Sequence, residues 1–476
     1  MEHDSGYVAV VRELERLVST RPPGAALPSM RELQQRFQVS SLTVQRALST
    51  LATRGLLVTR PGRGTFTATH RAPSRAGDSA WQTLALGSRP NLTAHLEELL
   101  APTPPDLLPL ASAFLDEGLQ PLGLLAAAAA RAARRPHGWS RPPVDGLEEL
   151  RSYLADELGP SYRADNVLVT AGGQAALAAA CRYLAVPGDP IVLEAPTYIG
   201  ALAAARGAGL VAVPVPADQH GVLPDVLADA LARSRARLVY LQPRHANPTG
   251  ATLAADRRQA VLHAVQRAGA FLVEDDWVRG LDLDGPTPAP LAASDQDGHV
   301  VYIRSLTKPV AAGLRVAALV ARGPALTRLR RGRITDDLFV APVLQHAALD
   351  VLTAPGWNRH LTGLRRALRQ RRDSLVAALR TDLPECQLHL VPAGGVHLWL
   401  RLPEGADETA TVNAAHQHGV AVSPGRSYFP AEPPGPYLRL SYAAAAPATL
   451  LDAVTRLARA IHQTAGRSVK GDGRRS

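Results

Sequence analysis

A single primary amine sets the chemistry this chain can do. Among 476 residues there are fifty arginines but only two lysines, Lys308 and Lys470. Arginine replaces lysine in most surface roles but cannot form a Schiff base, because its guanidinium stays protonated. Lys470 lies in the stretch SVKGDGRRS, which reads as a disordered basic tail over 466–476. Lys308 is then the one amine expected in the folded body, and a lysine kept where others have gone suggests carbonyl chemistry. Chance survival in an arginine-biased chain is the plain alternative, so the surrounding residues decide.

In open α/β sheets, ligands sit at the carboxyl ends of the strands. After VLVT (167–170) comes Ala171-Gly172-Gly173-Gln174. Glycines opening a helix expose backbone N–H groups to an anion, although such a pair also serves simply to turn a chain. After IVLE (191–194) comes Tyr198, a ring that stacks on a planar group or packs in a core. After LVYLQ (238–242), Asn247-Pro248 opens a turn that aims an amide into the crevice. FLVED ends on Asp275. A buried carboxylate needs a partner, and a protonated heterocyclic nitrogen would serve. After VVYIR come Ser305, Lys308 and Arg315. An amine, a phosphate cup, a carboxylate and an amide for a ring oxygen are together what pyridoxal 5'-phosphate requires. That cofactor is expected here, with Lys308 as its Schiff-base residue.

The elements that must position these groups alternate between strand and helix from about residue 106. Seven candidate strands (167–170, 191–194, 211–215, 238–242, 271–275, 300–304 and 316–321) predict an α/β domain over 106–354. Its seven-stranded, mainly parallel sheet would be covered on both faces. A long arginine-rich helical stretch follows, then short strands near 388–391, 396–402 and 437–442. These predict a smaller C-terminal α+β domain over 355–465.

Residues 1–70 read differently. Apolar residues from Tyr7 to Val18 recur at helical spacing. Ser29-Met30-Arg31-Glu32 is a capping box for a second helix ending near Phe37. Ser40 or Ser41 starts a third, which Gly55 stops. LLVTR and TFTAT flank Pro61-Gly62-Arg63-Gly64, a hairpin with a cationic tip. Three helices and a basic wing make a winged helix-turn-helix, with Arg31, Thr43, Gln45, Arg46 and Arg63 in reach of double-stranded DNA. A small bundle with a solvated charged face is the alternative. Charge favours DNA: residues 1–71 hold ten arginines against five acids, within a net charge of +10. Residues 71–105, rich in Pro, Arg, Ala, Ser and Gly, read as a linker.

LPSMRELQQRFQVSSLTVQRAL followed by LATRGLLVTRPGRGTF resembles the GntR-type winged helix. Ser41 and Gln45 stand where that family often carries arginine, so Ser41 joins the DNA-facing set and an unusual base preference is expected. The rest resembles fold-type I aminotransferases, and the domain order is similar to MocR-type regulators. The resemblance implies roles. Lys308 would carry the cofactor, Asp275 would pair with the pyridine nitrogen and Asn247 with the ring oxygen. Tyr198 would stack on the ring. Gly173, Gln174, Ser305 and Arg315 would hold the phosphate. Arg439 in YLRLSY would clamp a substrate carboxylate. Three departures stand out: Trp277 and Val278 replace a tyrosine after the first aspartate, WSRPPVDG lacks the tyrosine offered by a partner subunit, and Gly173 replaces serine or alanine.

Other classes fit poorly. MEHDSGYVAV is no signal peptide, and the run LGLLAAAAARAARR is too short and charged to span a membrane. Two cysteines suggest a reducing cytoplasm. His416 and His418, two apart, do not share a helix face, and no metal site is expected. Two functions remain. The first is a cytoplasmic regulator sensing pyridoxal phosphate or an amino compound through Lys308, acting as a homodimer on paired half-sites. The second is a working aminotransferase with a tethered winged helix. A scaffold without cofactor is a third, duller option. Borohydride reduction followed by peptide mapping should put a pyridoxyl group on Lys308. A reduced adduct elsewhere, or none, would remove the assignment.

Overall fold

The computed structural model describes residues 2–60, 63–68, 81–86, 103–286 and 288–472, and it divides into two compact units, Met1–Pro90 and Asn91–Ser476.

In the first unit, helices Glu2–Ser19, Met30–Phe37 and Ser41–Thr53 pack around Leu14, Leu33, Val44 and Leu51, all fully buried. The capping box is formed as the residue types require. The Ser29 hydroxyl accepts from the Glu32 amide at 3.3 Å, and the Ser29 amide donates to the Glu32 carboxylate at 2.7 Å. Gln38 in the left-handed conformation ends that helix, and Ser40 caps the next. Strands Leu57–Arg60 and Gly64–Thr67 pair antiparallel as the wing, with Ala26 bridged to Phe66 on its inner edge. Within the expected linker, Trp81–Leu86 is a short helix. Most of 71–102, including the amphipathic stretch 92–100, lies outside the described residues.

The second unit is built on an eight-stranded sheet. Its order is Val167–Thr170, Ala317–Val320, Val300–Ser305, Phe271–Asp276, Leu238–Leu241, Pro190–Ala195, Val211–Asp218, Gly221–Val222. All seven expected strands are present. The eighth, Gly221–Val222, folds back antiparallel on Ala217 and Asp218, too short to show any periodicity. Ala317–Val320 runs antiparallel to both neighbours, while the five strands from Val300–Ser305 across to Val211–Asp218 pair in parallel. Both faces are covered. Val167 and Val169 enter one apolar core and Leu168 the other, the period-two alternation of a sandwiched strand.

A second sheet, Gln387–Leu388, His397–Arg401, Tyr437–Ser441, Ser423–Pro424, packs with helices Trp357–Asp382, Glu408–Gln417 and Pro447–Asp472. Two boundaries differ from those expected. Residues 107–115 do not join the large sheet. Strand Leu108–Pro109 pairs with Val420–Ala421, and Leu110 and Leu115 enter the small core. A two-residue strand carries no periodic signal. The last helix also continues through Asp472, past 466, where a disordered tail was expected. Among the described residues no helix is long and apolar enough to cross a membrane.

If the capping box holds the second helix, Ser29→Ala in the full chain should raise amide exchange over 30–37 about fivefold. Unchanged exchange there would show that tertiary packing alone sets its start.

Candidate functional site

The carboxyl ends of the large sheet bring Gly172, Tyr198, Asn247, Asp275, Ser305 and Lys308 to one side, as parallel connections dictate. Gly172 caps helix Gly173–Leu184 with φ +100°. A Cβ there would lie 2.5 Å from the Arg315 guanidinium, so only glycine lets that cation lie over the turn. Arg315, itself left-handed, donates to the Ala171 carbonyl at 2.7 Å. Ser305 closes the cradle. A Cβ on Gly173 would meet it at ordinary contact distance, 3.4 Å, so the family's serine or alanine is missing for no steric reason. Gln174 donates to the Gly200 carbonyl at 2.8 Å, while its own carbonyl oxygen is buried without a partner. Gly200 leaves room for Tyr198: a Cβ there would strike the ring at 2.3 Å.

Asp275 is buried, and its Oδ2 accepts from Tyr240 at 2.7 Å and Gln242 at 2.9 Å. Burial pushes its carboxyl up to about 6, against those two hydrogen bonds. Among the described residues no cation reaches it at ion-pair distance. Its neighbour Asp276 differs: Arg244 at 3.1 Å and Arg279 at 3.4 Å pair with it. Gln242 also accepts the Asn247 amide hydrogen at 2.8 Å, so one side chain fixes both groups. The Asn247 carbonyl faces Arg439 at 3.4 Å. Arg439 is buried, donates to the Ala111 carbonyl at 2.5 Å, and leaves its Nε unpaired. No carboxylate among the described residues pairs with it. Lys308 is half-buried, with its amine 3.8 Å from the Phe114 ring centre and 6.0 Å from Trp277. Burial, then Arg439 and Arg315, pulls its amine down to about 7. Burial also holds the Tyr198 phenol well above its usual range.

The arrangement fits pyridoxal 5'-phosphate. A glycine-lined cradle carries a cation, a buried carboxylate lacks one among the described residues, and burial lowers the basicity of the Lys308 amine. Lys308, Asp275, Asn247, Tyr198, Gly173, Gln174, Ser305 and Arg315 gather there, with Arg439 on the adjoining small sheet. Sequence reasoning missed four residues. Gln242 ended an apolar strand, a polar signal that was available. Tyr240 looked like core. Phe114 and His397 carried no local signal, since they reach the site only through the N-terminal segment and the small sheet. His245 is structural: its ring bonds Thr252 and Asp282, both at 3.0 Å.

In the first unit, Arg31, Ser41, Gln45, Arg46 and Arg63 are exposed. Thr43 is half-buried, and its hydroxyl is shared with Ser40 at 2.9 Å. Arg46 leans over the Tyr7 ring at 5.0 Å.

Comparison with known proteins accords with both units. Residues 108–457 match the family Aminotransferase class I and II, and residues 7–67 match Bacterial regulatory proteins, gntR family. The uncharacterized HTH-type transcriptional regulator YdfD of Bacillus subtilis is 27% identical over 453 residues, 94% of each chain. The 2-aminoadipate transaminase of Thermus thermophilus is 33% identical over 322 residues, 67% of this chain and 80% of the relative. The crystal structure of LysN, alpha-aminoadipate aminotransferase from Thermus thermophilus, complexed with N-(5'-phosphopyridoxyl)-L-leucine, superposes with a TM-score of 0.74 at 31% identity. It covers 78% of this chain and 95% of that one.

A lysine titrating near 7 is mostly a free amine above that pH. Uptake of pyridoxal phosphate by cofactor-free protein should therefore accelerate through pH about 7 and level off by about pH 8. Acceleration only near pH 10 would show an unperturbed lysine.

Proposed function

We propose that this chain, a member of the aminotransferase class I and II family with a gntR-family winged helix ahead of it, is a MocR-type transcriptional regulator that binds pyridoxal 5'-phosphate and responds to an amino compound. The observation that carries this reading is the presence, in one chain, of a DNA-reading head and a site centred on the Lys308 amine, whose basicity burial lowers. Bound pyridoxal phosphate would supply an aldehyde that exchanges imine partners between a lysine and an incoming amine. The residues do the rest. Gly173, Gln174, Ser305 and Arg315 hold the phosphate, and Tyr198 covers the ring. Asp275 keeps a proton on the pyridine nitrogen, and Asn247 bonds the ring oxygen. Arg439, buried and lacking an acid, receives the effector's carboxylate. Lys308, in its neutral form, would hold the cofactor's aldehyde.

The head, residues 1–70, binds double-stranded DNA. Arg31, Ser41, Thr43, Gln45, Arg46 and Arg63 form its contact surface. A cytoplasmic homodimer would present two heads to paired half-sites. Regulation is favoured over turnover because relatives that match along most of the chain are named as HTH-type transcriptional regulators, themselves uncharacterized. The missing tyrosine at Trp277 and Val278 points the same way.

Arg31→Ala and Arg46→Ala should each weaken operator binding and reduce its salt dependence by about one counterion, with the cofactor absorbance unchanged. Lys308→Ala should keep DNA affinity but lose its modulation by amino acids. Unaltered DNA affinity in both arginine variants would count against the head. Sustained keto-acid production from wild-type protein would favour the aminotransferase reading instead.

A further inference from the structure

His397 opens the central strand of the small sheet. Antiparallel register sets it opposite Ser441, and sets Trp399 opposite Arg439. Opposed residues and residues two apart share a face, so His397 projects from the same face as Arg439. Only 2% of it is exposed. Its ring stacks on Trp277 at 5.4 Å and 15°, and Trp277 in turn faces the Lys308 amine. The imidazole therefore lies near enough to feel the charges of both the Lys308 amine and the Arg439 guanidinium.

Among the described residues neither ring nitrogen has a partner at hydrogen-bond geometry. Burial, together with the charges of Arg439 and Lys308, holds the imidazole well below its usual range, so it is neutral, with one N–H and one lone pair. The protein group bearing on a ring nitrogen is the Ala246 carbonyl, itself an acceptor. It can answer only the N–H. Among the described residues the lone pair has nothing to accept from, and a buried polar atom left so is costly.

We infer that His397 is a specificity-determining residue that accepts a hydrogen bond from the distal end of the bound amino compound, favouring a side-chain amide or hydroxyl over an apolar chain of equal size. A side-chain carboxylate, which offers no donor at neutral pH, gains nothing from this nitrogen. The inference rests on the reading that an amino compound enters this crevice.

The test uses the full-length protein loaded with pyridoxal phosphate. Calorimetric affinities would be measured for three near-isosteric pairs: threonine and valine, asparagine and leucine, glutamine and methionine. The donor-bearing member of at least one pair should bind roughly tenfold tighter. In His397→Phe, which keeps a stacking ring, that preference should disappear while affinity for the apolar member holds. The cofactor absorbance, recorded alongside, separates the two claims. If no amino acid binds or shifts the band in the wild type, the sensing function falls and this inference with it. If amino acids bind but the apolar member wins every pair, or the preference survives in His397→Phe, only the role of His397 is overturned.

Discussion

An ammonium ion cannot stay fully charged in a half-buried wall beside two guanidiniums that have nowhere else to go. The rest of the second unit exists to hold that arrangement. Arg315 is fixed by a left-handed backbone and by the glycine turn it covers. Arg439 is fixed by the pairing of the small sheet. Lys308 follows the strand between them, with an aromatic face rather than a carboxylate as its close neighbour. An acid within ion-pair distance would restore the proton and quench the amine as a nucleophile. Among the described residues none stands there, and that is as much a part of the site as the lysine.

Two consecutive aspartates show how finely burial sorts like residues. Side chains alternate along a strand, so Asp275 and Asp276 look to opposite faces. Asp276 meets arginines and the Tyr302 hydroxyl at 2.7 Å. Asp275 meets only neutral donors. One is a buried ion pair tying strand ends and the loops that follow them, and the other is a carboxylate with no cation beside it among the described residues. Gln242 gives the second its place, and the buried Glu194 carboxylate accepts the Gln242 amide hydrogen at 3.1 Å. The positioning therefore runs three strands deep.

Much of this was legible in the sequence, and the reason is local. Apolar runs ending in Gly-Gly, Asn-Pro, an acid or a lysine announce both a strand and what stands at its tip. The capping box at Ser29 and the stop at Gly55 did the same for the head. What stayed hidden depends on long-range pairing. The segment 107–115 holds a strand too short for periodicity and finds its partner more than three hundred residues later. Phe114 and His397 belong to that class, since nothing beside them in sequence distinguishes a site wall from a core. Gln242 is the exception: its polarity at a strand end could have flagged it.

That N-terminal segment has a further consequence. Within four residues it gives the Ala111 carbonyl to Arg439 and the Phe114 ring to Lys308, and Asp116 then ties it to Arg371. One short ribbon thus touches both poles of the crevice. Any shift of it strips an acceptor from the anion clamp and a π-cloud from the amine in the same movement. Grip on a carboxylate and the surroundings of the nucleophile thus share one short stretch of backbone.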